Sequence, residues 1–108
     1  MKRKTIRNHK DFATTPEDAG VADFYFIVKA KPAVKKDSRY GLVAAKKIFK
    51  LAVARNRAKR LLRDWIAYNE HLMQPNMDYI FIARPAILVC PRETGRKKMA
   101  RALEKLAK

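Results

Sequence analysis

Residues Arg55-Asn56-Arg57-Ala58-Lys59-Arg60-Leu61-Leu62-Arg63 constrain this chain more than any other stretch. Five cations fall within nine residues, yet the apolar residues keep a helical period. At about 100° per residue, Ala54, Ala58, Leu61, Leu62, Trp65 and Leu72 share one side of a helix. Arg55, Asn56, Lys59, Arg60 and Arg63 share the other, with Arg57 at its edge. A disordered basic tail has no reason to keep such a stripe. The segment reads as a helix with one face in a core and the other open to a polyanion.

The rest of the chain can supply that core. Its 108 residues suit one domain, 1–108, and 48% of them are apolar. Lys and Arg number 26 against 10 acids, a formal charge of +16. A bias this strong destabilises a compact fold by self-repulsion, which an anionic partner would relieve. Residues 1–10 carry five cations and no acid and read as a basic, partly mobile arm. A single cysteine, Cys90, excludes an internal disulfide and reads as a buried structural thiol. No apolar run follows the basic start, and none nears the roughly 18 residues of a membrane span. A cytoplasmic protein with no membrane contact is the expectation, and no obligate protein partner is evident.

Along the chain, Asp11–Ala19 can form at most one or two helical turns before or after Pro16. Phe24–Ala30 is aromatic and β-branched, hence a strand. A solvated turn follows over Lys31–Ser38. Arg39–Ala45 reads as a second strand paired with the first, and residues 46–50 as a loop or short strand. The long helix should run from Ala52 to Met73, stopping before Pro75. Asp78–Ala83 is a further strand, and a last amphipathic helix covers Thr94–Ala107, with Met99, Ala102, Leu103 and Leu106 inward. This order suggests an α+β fold, one sheet covered by helices.

No catalytic set emerges. The histidines are His9 and His71, there is no Cys/His cluster with metal spacing, and three glycines make no phosphate loop. The basic arc is either a solvated face or a nucleic-acid surface. The scarcity of acids at i,i+4 and the forked donors of Arg55 and Arg57 favour phosphate contact. Lys46 and Lys47, just before the helix, would extend that surface. Strand alternation sets Phe24 and Phe26 on one face and Tyr25 on the other. Either face can be core, or an open face can stack on unpaired bases. Phe12 is a staple for the short helix or part of a groove wall.

The segment from Arg39 to Arg63 resembles the signature of the bacterial ribonuclease P protein subunit. The matching elements are Arg39-x-Gly41, Lys46-Lys47, Ala52-Val53, and Arg55-Asn56-Arg57 extended by Lys59-Arg60 and Arg63. Asp11-Phe12 is similar to the family's N-terminal anchor and Asp78–Arg84 to its last strand. The resemblance implies a two-layer α/β sandwich in the order αβββαβα, with a left-handed βαβ crossover, like the second domain of ribosomal protein S5. It implies a protein without catalytic residues of its own, joined to a catalytic RNA that removes the 5′ leader of precursor tRNA with Mg²⁺. By the same resemblance Lys46, Lys47, Arg55, Asn56, Arg57, Lys59, Arg60 and Arg63 would contact the RNA subunit. Phe12, with one or more of Phe24, Tyr25 and Phe26, would line a leader cleft between the first helix and the sheet. The rival readings are a ribosomal or other structural RNA-binding protein, a DNA-binding module and a protein-only nuclease. The chain lacks a helix-turn-helix spacing for the second and a catalytic cluster for the third.

Overall fold

A computed structural model describes residues 3–7, 9–15, 18–33 and 38–107. Pro16 and residues 34–37 of the turn expected at Lys31–Ser38 lie outside them, while Lys31 and Pro32 extend a strand instead of starting that turn. The elements are β1 (Lys4–Thr5), a 3₁₀ turn (His9–Phe12), β2 (Ala19–Ala22), β3 (Phe26–Pro32), β4 (Arg39–Val43), α1 (Ala52–Tyr68), β5 (Met77–Ala83) and α2 (Arg92–Leu106). Two further 3₁₀ turns, Glu70–Leu72 and Pro85–Val89, follow α1 and β5. One five-stranded sheet has the order β1-β4-β5-β3-β2.

The pairing corrects one expectation. β3 and β4 are not neighbours, because β5 lies between them, antiparallel to β3 and parallel to β4. Parallel strands need a long crossover, and α1 provides it between β4 and β5. Residues of the basic arm dock at the far edge, where β1 runs parallel to β4. The Ile6 side chain is buried there, and its N–H donates to the Tyr40 carbonyl at 2.8 Å. Arg3 donates to the Gln74 and Met77 carbonyls at 2.6 and 3.3 Å.

The first helix of the implied order is a single 3₁₀ turn, not an α-helix. The Ala13 carbonyl accepts from Lys31 Nζ at 2.9 Å instead of entering a helical ladder. Thr15 and Asp18 then close a reciprocal turn, and β2 begins at Ala19. β3 starts two residues later than expected, because the Asp23 carboxylate takes the Tyr25 N–H at 3.0 Å and bends the chain. α1 stops at Asn69 rather than Met73. The Asn69 amide donates to the Trp65 carbonyl and to the Arg96 carbonyl of α2, both at 2.9 Å, ending the first helix on the second.

Both helices cover one face of the sheet. Phe26, Val28 and Ala30 of β3, Tyr79, Phe81 and Ala83 of β5 and Tyr40 of β4 meet Ala58, Leu62, Trp65 and Ile66 there, and Met99, Ala102 and Leu103 of α2 complete it. Burying each large side chain contributes about 1.5–3 kcal/mol. Gly95 of α2 lies flat on Trp65, and a methyl there would overlap the indole.

The opposite face carries a buried ion pair. Asp78, fully buried, accepts from the Arg39 N–H at 2.8 Å and from its guanidinium at 3.0 Å. Gly41 follows on the same face, where the Phe12 ring occupies the space a side chain would need. Arg39-x-Gly41 therefore has a structural reason: one residue neutralises Asp78, and the other admits Phe12.

Candidate nucleic-acid interface

The interface is assembled where β4 gives way to α1. Ile48 and Phe49 both donate backbone N–H groups to the Ala45 carbonyl, at 3.0 and 2.8 Å, so residues 45–49 turn tightly. Phe49 is buried and anchors the turn. Lys46 and Lys47 stand exposed on it. Arg55 reaches back from α1 and donates to the Phe49 and Lys50 carbonyls at 2.8 and 3.1 Å. The sequence placed Arg55 among RNA contacts; the structure gives its guanidinium two protein acceptors, so it braces the loop that carries the lysines.

The remaining residues of the arc meet solvent. Asn56, Arg57, Arg60 and Arg63 are exposed and Lys59 is half-buried. None of these five side chains has a protein partner among the described residues. Asn56, Arg60 and Arg63 follow i, i+4, i+7 spacing, with Arg57 and Lys59 beside them. The only acid of α1, Asp64, is held by Arg96 of α2 through two hydrogen bonds of 3.1 and 3.2 Å. Its charge is therefore drawn toward α2. The first turn of α1 contains no acid, and Leu51 at the N-cap offers no capping oxygen, so the positive end of the helix dipole adds to the field. A shallow depression lined by Tyr40, Arg60, Arg63, Asp64 and Ala67 joins this face to the sheet edge.

Phe12 and the three aromatics of which one or more was expected beside it in a leader cleft do not share one surface. Phe26 is fully buried under α1, its ring 6.0 Å from Trp65, and is core. Phe24 sits on the bend before β3, 67% exposed, edge-on to the half-buried Tyr25 at 5.2 Å. Phe12 is half-buried on the face opposite Phe26. On that face Val43, Ile82, Ile27 and Ala22 fall in one row across four strands. The first three are half-buried, and α1 and α2 both lie on the other face of the sheet. Lys29 flanks the row, its aliphatic stem lying against Gly20. Sequence reading missed this strip because it sought aromatics; the odd-numbered parity of β3 was the signal for it.

Cys90 is buried beside Tyr25, and burial pushes its thiol above the ordinary range while the Tyr25 hydroxyl bond pulls it back. Among the described residues no three of His, Cys, Asp or Glu converge to cradle a metal ion. No helix is long and apolar enough to cross a membrane among them either.

Residues 1–107 match the family model described as Ribonuclease P. The ribonuclease P protein component of Lactobacillus delbrueckii subsp. bulgaricus is 33% identical over 100 residues, covering 91% of this chain and 83% of the relative. That of Nitratiruptor sp. is 40% identical over 83 residues, covering 76% and 72%. Among solved structures, the Staphylococcus aureus RNase P protein aligns with a TM-score of 0.77 at 27% identity, covering 99% of this chain and 97% of its own. The Thermotoga maritima RNase P protein aligns at 0.78 and 26% identity, covering 95% and 97%. With its sheet, its two helices and its basic α1 matched in this way, the chain belongs to the ribonuclease P protein component family.

Proposed function

We propose that this chain binds the catalytic RNA of ribonuclease P and the 5′ leader of precursor tRNA, and promotes Mg²⁺-dependent removal of that leader by the RNA. The observation that carries the reading is the outer face of α1: Asn56, Arg57, Lys59, Arg60 and Arg63 are without protein partners among the described residues, and the helix's one acid is paired elsewhere. With Lys46 and Lys47 these groups lie on the RNA subunit, while Arg55 fixes the turn that presents the lysines. The apolar row Val43-Ile82-Ile27, with Phe12 and Lys29 beside it along the adjoining Gly41-Ile80-Lys29 row, takes the unpaired leader: bases pack on the row and Lys29 meets a phosphate. Phe24 and Tyr25 stand at the end of β3 and can extend that path; Phe26 cannot.

The chain's contribution is electrostatic. Cations placed between RNA subunit and substrate reduce phosphate repulsion, so fewer Mg²⁺ ions are needed to hold the complex together. Mg²⁺ would be held mainly by the RNA and would supply the activation of the attacking water there, and no catalytic side chain is assigned to this chain. Such an assembly works in the bacterial cytoplasm, where precursor tRNA is made.

Reconstitution tests this directly. Purified protein added to bacterial ribonuclease P RNA at low Mg²⁺ should restore cleavage of precursor tRNA at the 5′ end of the mature sequence. No stimulation across a Mg²⁺ titration would defeat the proposal and favour a structural RNA-binding role.

A further inference from the structure

Six large apolar side chains are exposed among the described residues, and three of them, Ile48, Leu51 and Val53, fall within six consecutive positions. Their exposures are 48%, 72% and 78%. Scattered apolar residues on a surface need no explanation, but a cluster does. This cluster sits inside the cationic face. Val53 precedes Asn56 by three residues and Arg57 by four, so it lies on the same side of α1 as both. Lys46, Lys47 and Lys50, all exposed, surround Ile48 and Leu51 in the chain. The backbone beneath is fixed: Phe49 is buried between the two, and Arg55 holds the carbonyls of residues 49 and 50. The apolar side chains are thus held outward by a rigid turn.

We propose that Ile48, Leu51 and Val53 form an apolar platform on which an unpaired nucleobase of the RNA subunit packs, while the surrounding cations take the adjacent phosphates. The proposal rests on the RNA-binding reading above and adds how that RNA is gripped. Charge selects the occupant. A second copy of the chain would bring the same lysine rim against this one, with +16 on each molecule. An unstacked base has an apolar π-face next to a charged backbone, which matches an apolar centre inside a cationic rim.

Salt dependence separates the platform from the cations. Leu51→Ser with Val53→Ala removes the two most exposed of the three apolar side chains without weakening the helix: serine is a preferred N-cap where leucine is not, and alanine is a better helix former than valine. Binding of the double variant to bacterial ribonuclease P RNA, measured across a salt series, should be weaker by about tenfold or more, the effect of losing burial of about one such side chain. The loss should be the same factor at every salt concentration, because no phosphate contact is removed. Wild-type affinity in the double variant overturns the platform. So does a shallower salt slope, which would assign the loss to displaced cations. Wild-type protein that dimerises through this patch, with a monomeric variant binding RNA normally, also overturns it and makes the patch a protein interface. If the wild-type protein itself shows no affinity for the RNA, the RNA-binding reading fails first and the platform with it.

Discussion

The interior between β4 and β5 and the outer face of α1 treat arginine in opposite ways. Arg39 is buried, and its guanidinium and N–H both meet the carboxylate of Asp78. Arg57, Arg60 and Arg63 are exposed and lack protein partners among the described residues. A buried charge without a counter-charge costs several kcal/mol, so the fold supplies one. An exposed charge has no such requirement, but five cations in nine residues repel one another. The interior spends its acid on folding; the outer face keeps its cations unneutralised, which suits an anionic partner and does nothing for stability.

Removing the acid from the interior should have the largest effect. Asp78→Ala removes the buried carboxylate that meets both the Arg39 N–H and its guanidinium, and should cost about 3–5 kcal/mol, read by urea denaturation. A loss below about 1 kcal/mol would show that the pair is not the anchor its burial suggests. Next is a steric test of the same interior. Gly95→Ala gains helix propensity but drives a methyl into the Trp65 indole, and should lower stability by about 1–3 kcal/mol. A stabilised variant would mean that α2 can move away from α1 freely.

Much of this division could be read before any coordinates. The apolar stripe of α1 and the inward face of α2 follow from a 3.6-residue period, and Leu62, Trp65, Met99 and Leu103 are buried as that period requires. The strand at Asp78–Ala83 was equally plain, since the structure extends it only to Met77. Pairing was not legible. Whether β4 lies beside β3 or β5 depends on where a 17-residue helix returns the chain, a long-range matter. Nor was the fate of single side chains. Asp23 bends the chain at Tyr25 and takes Phe24 out of the strand, and Arg55 turns back to two loop carbonyls instead of facing outward. Both depend on hydrogen bonds that periodicity does not encode. The docking of Ile6 was hidden in the same way, because a lone apolar residue among cations carries no period.

On the outer face, stability and binding should separate. Arg57→Ala and Arg60→Ala should each change unfolding free energy by less than about 0.5 kcal/mol. Each should reduce affinity for ribonuclease P RNA. If the wild-type face neutralises about six phosphates, its log–log salt slope should be steeper than about −4, and each variant should flatten it by about 0.7–0.9. Unfolded variants would move these residues into the interior's category. An unchanged slope would remove them from the interface.

Asp64 sharpens the comparison because it has a structural partner yet borders the outer face of α1. It pairs with Arg96, which makes it structural, yet it lines the depression that Arg60 and Arg63 border. Both partners are partly exposed, at 30% and 37% for the Arg96 and Asp64 side chains, so water screens their attraction. Asp64→Asn should therefore cost less than about 1 kcal/mol of stability, far below the effect at Asp78. Its effect on binding should have the opposite sign. Removing the one negative charge of α1 leaves Arg60 and Arg63 with a stronger field and releases Arg96 to add to it, so affinity for the RNA should rise. The rise should shrink as salt is added, since an uncovered cation acts through a screened field. A fall in affinity would mean that the Asp64–Arg96 pair positions the outer face of α1, and the two regions could no longer be treated as independent.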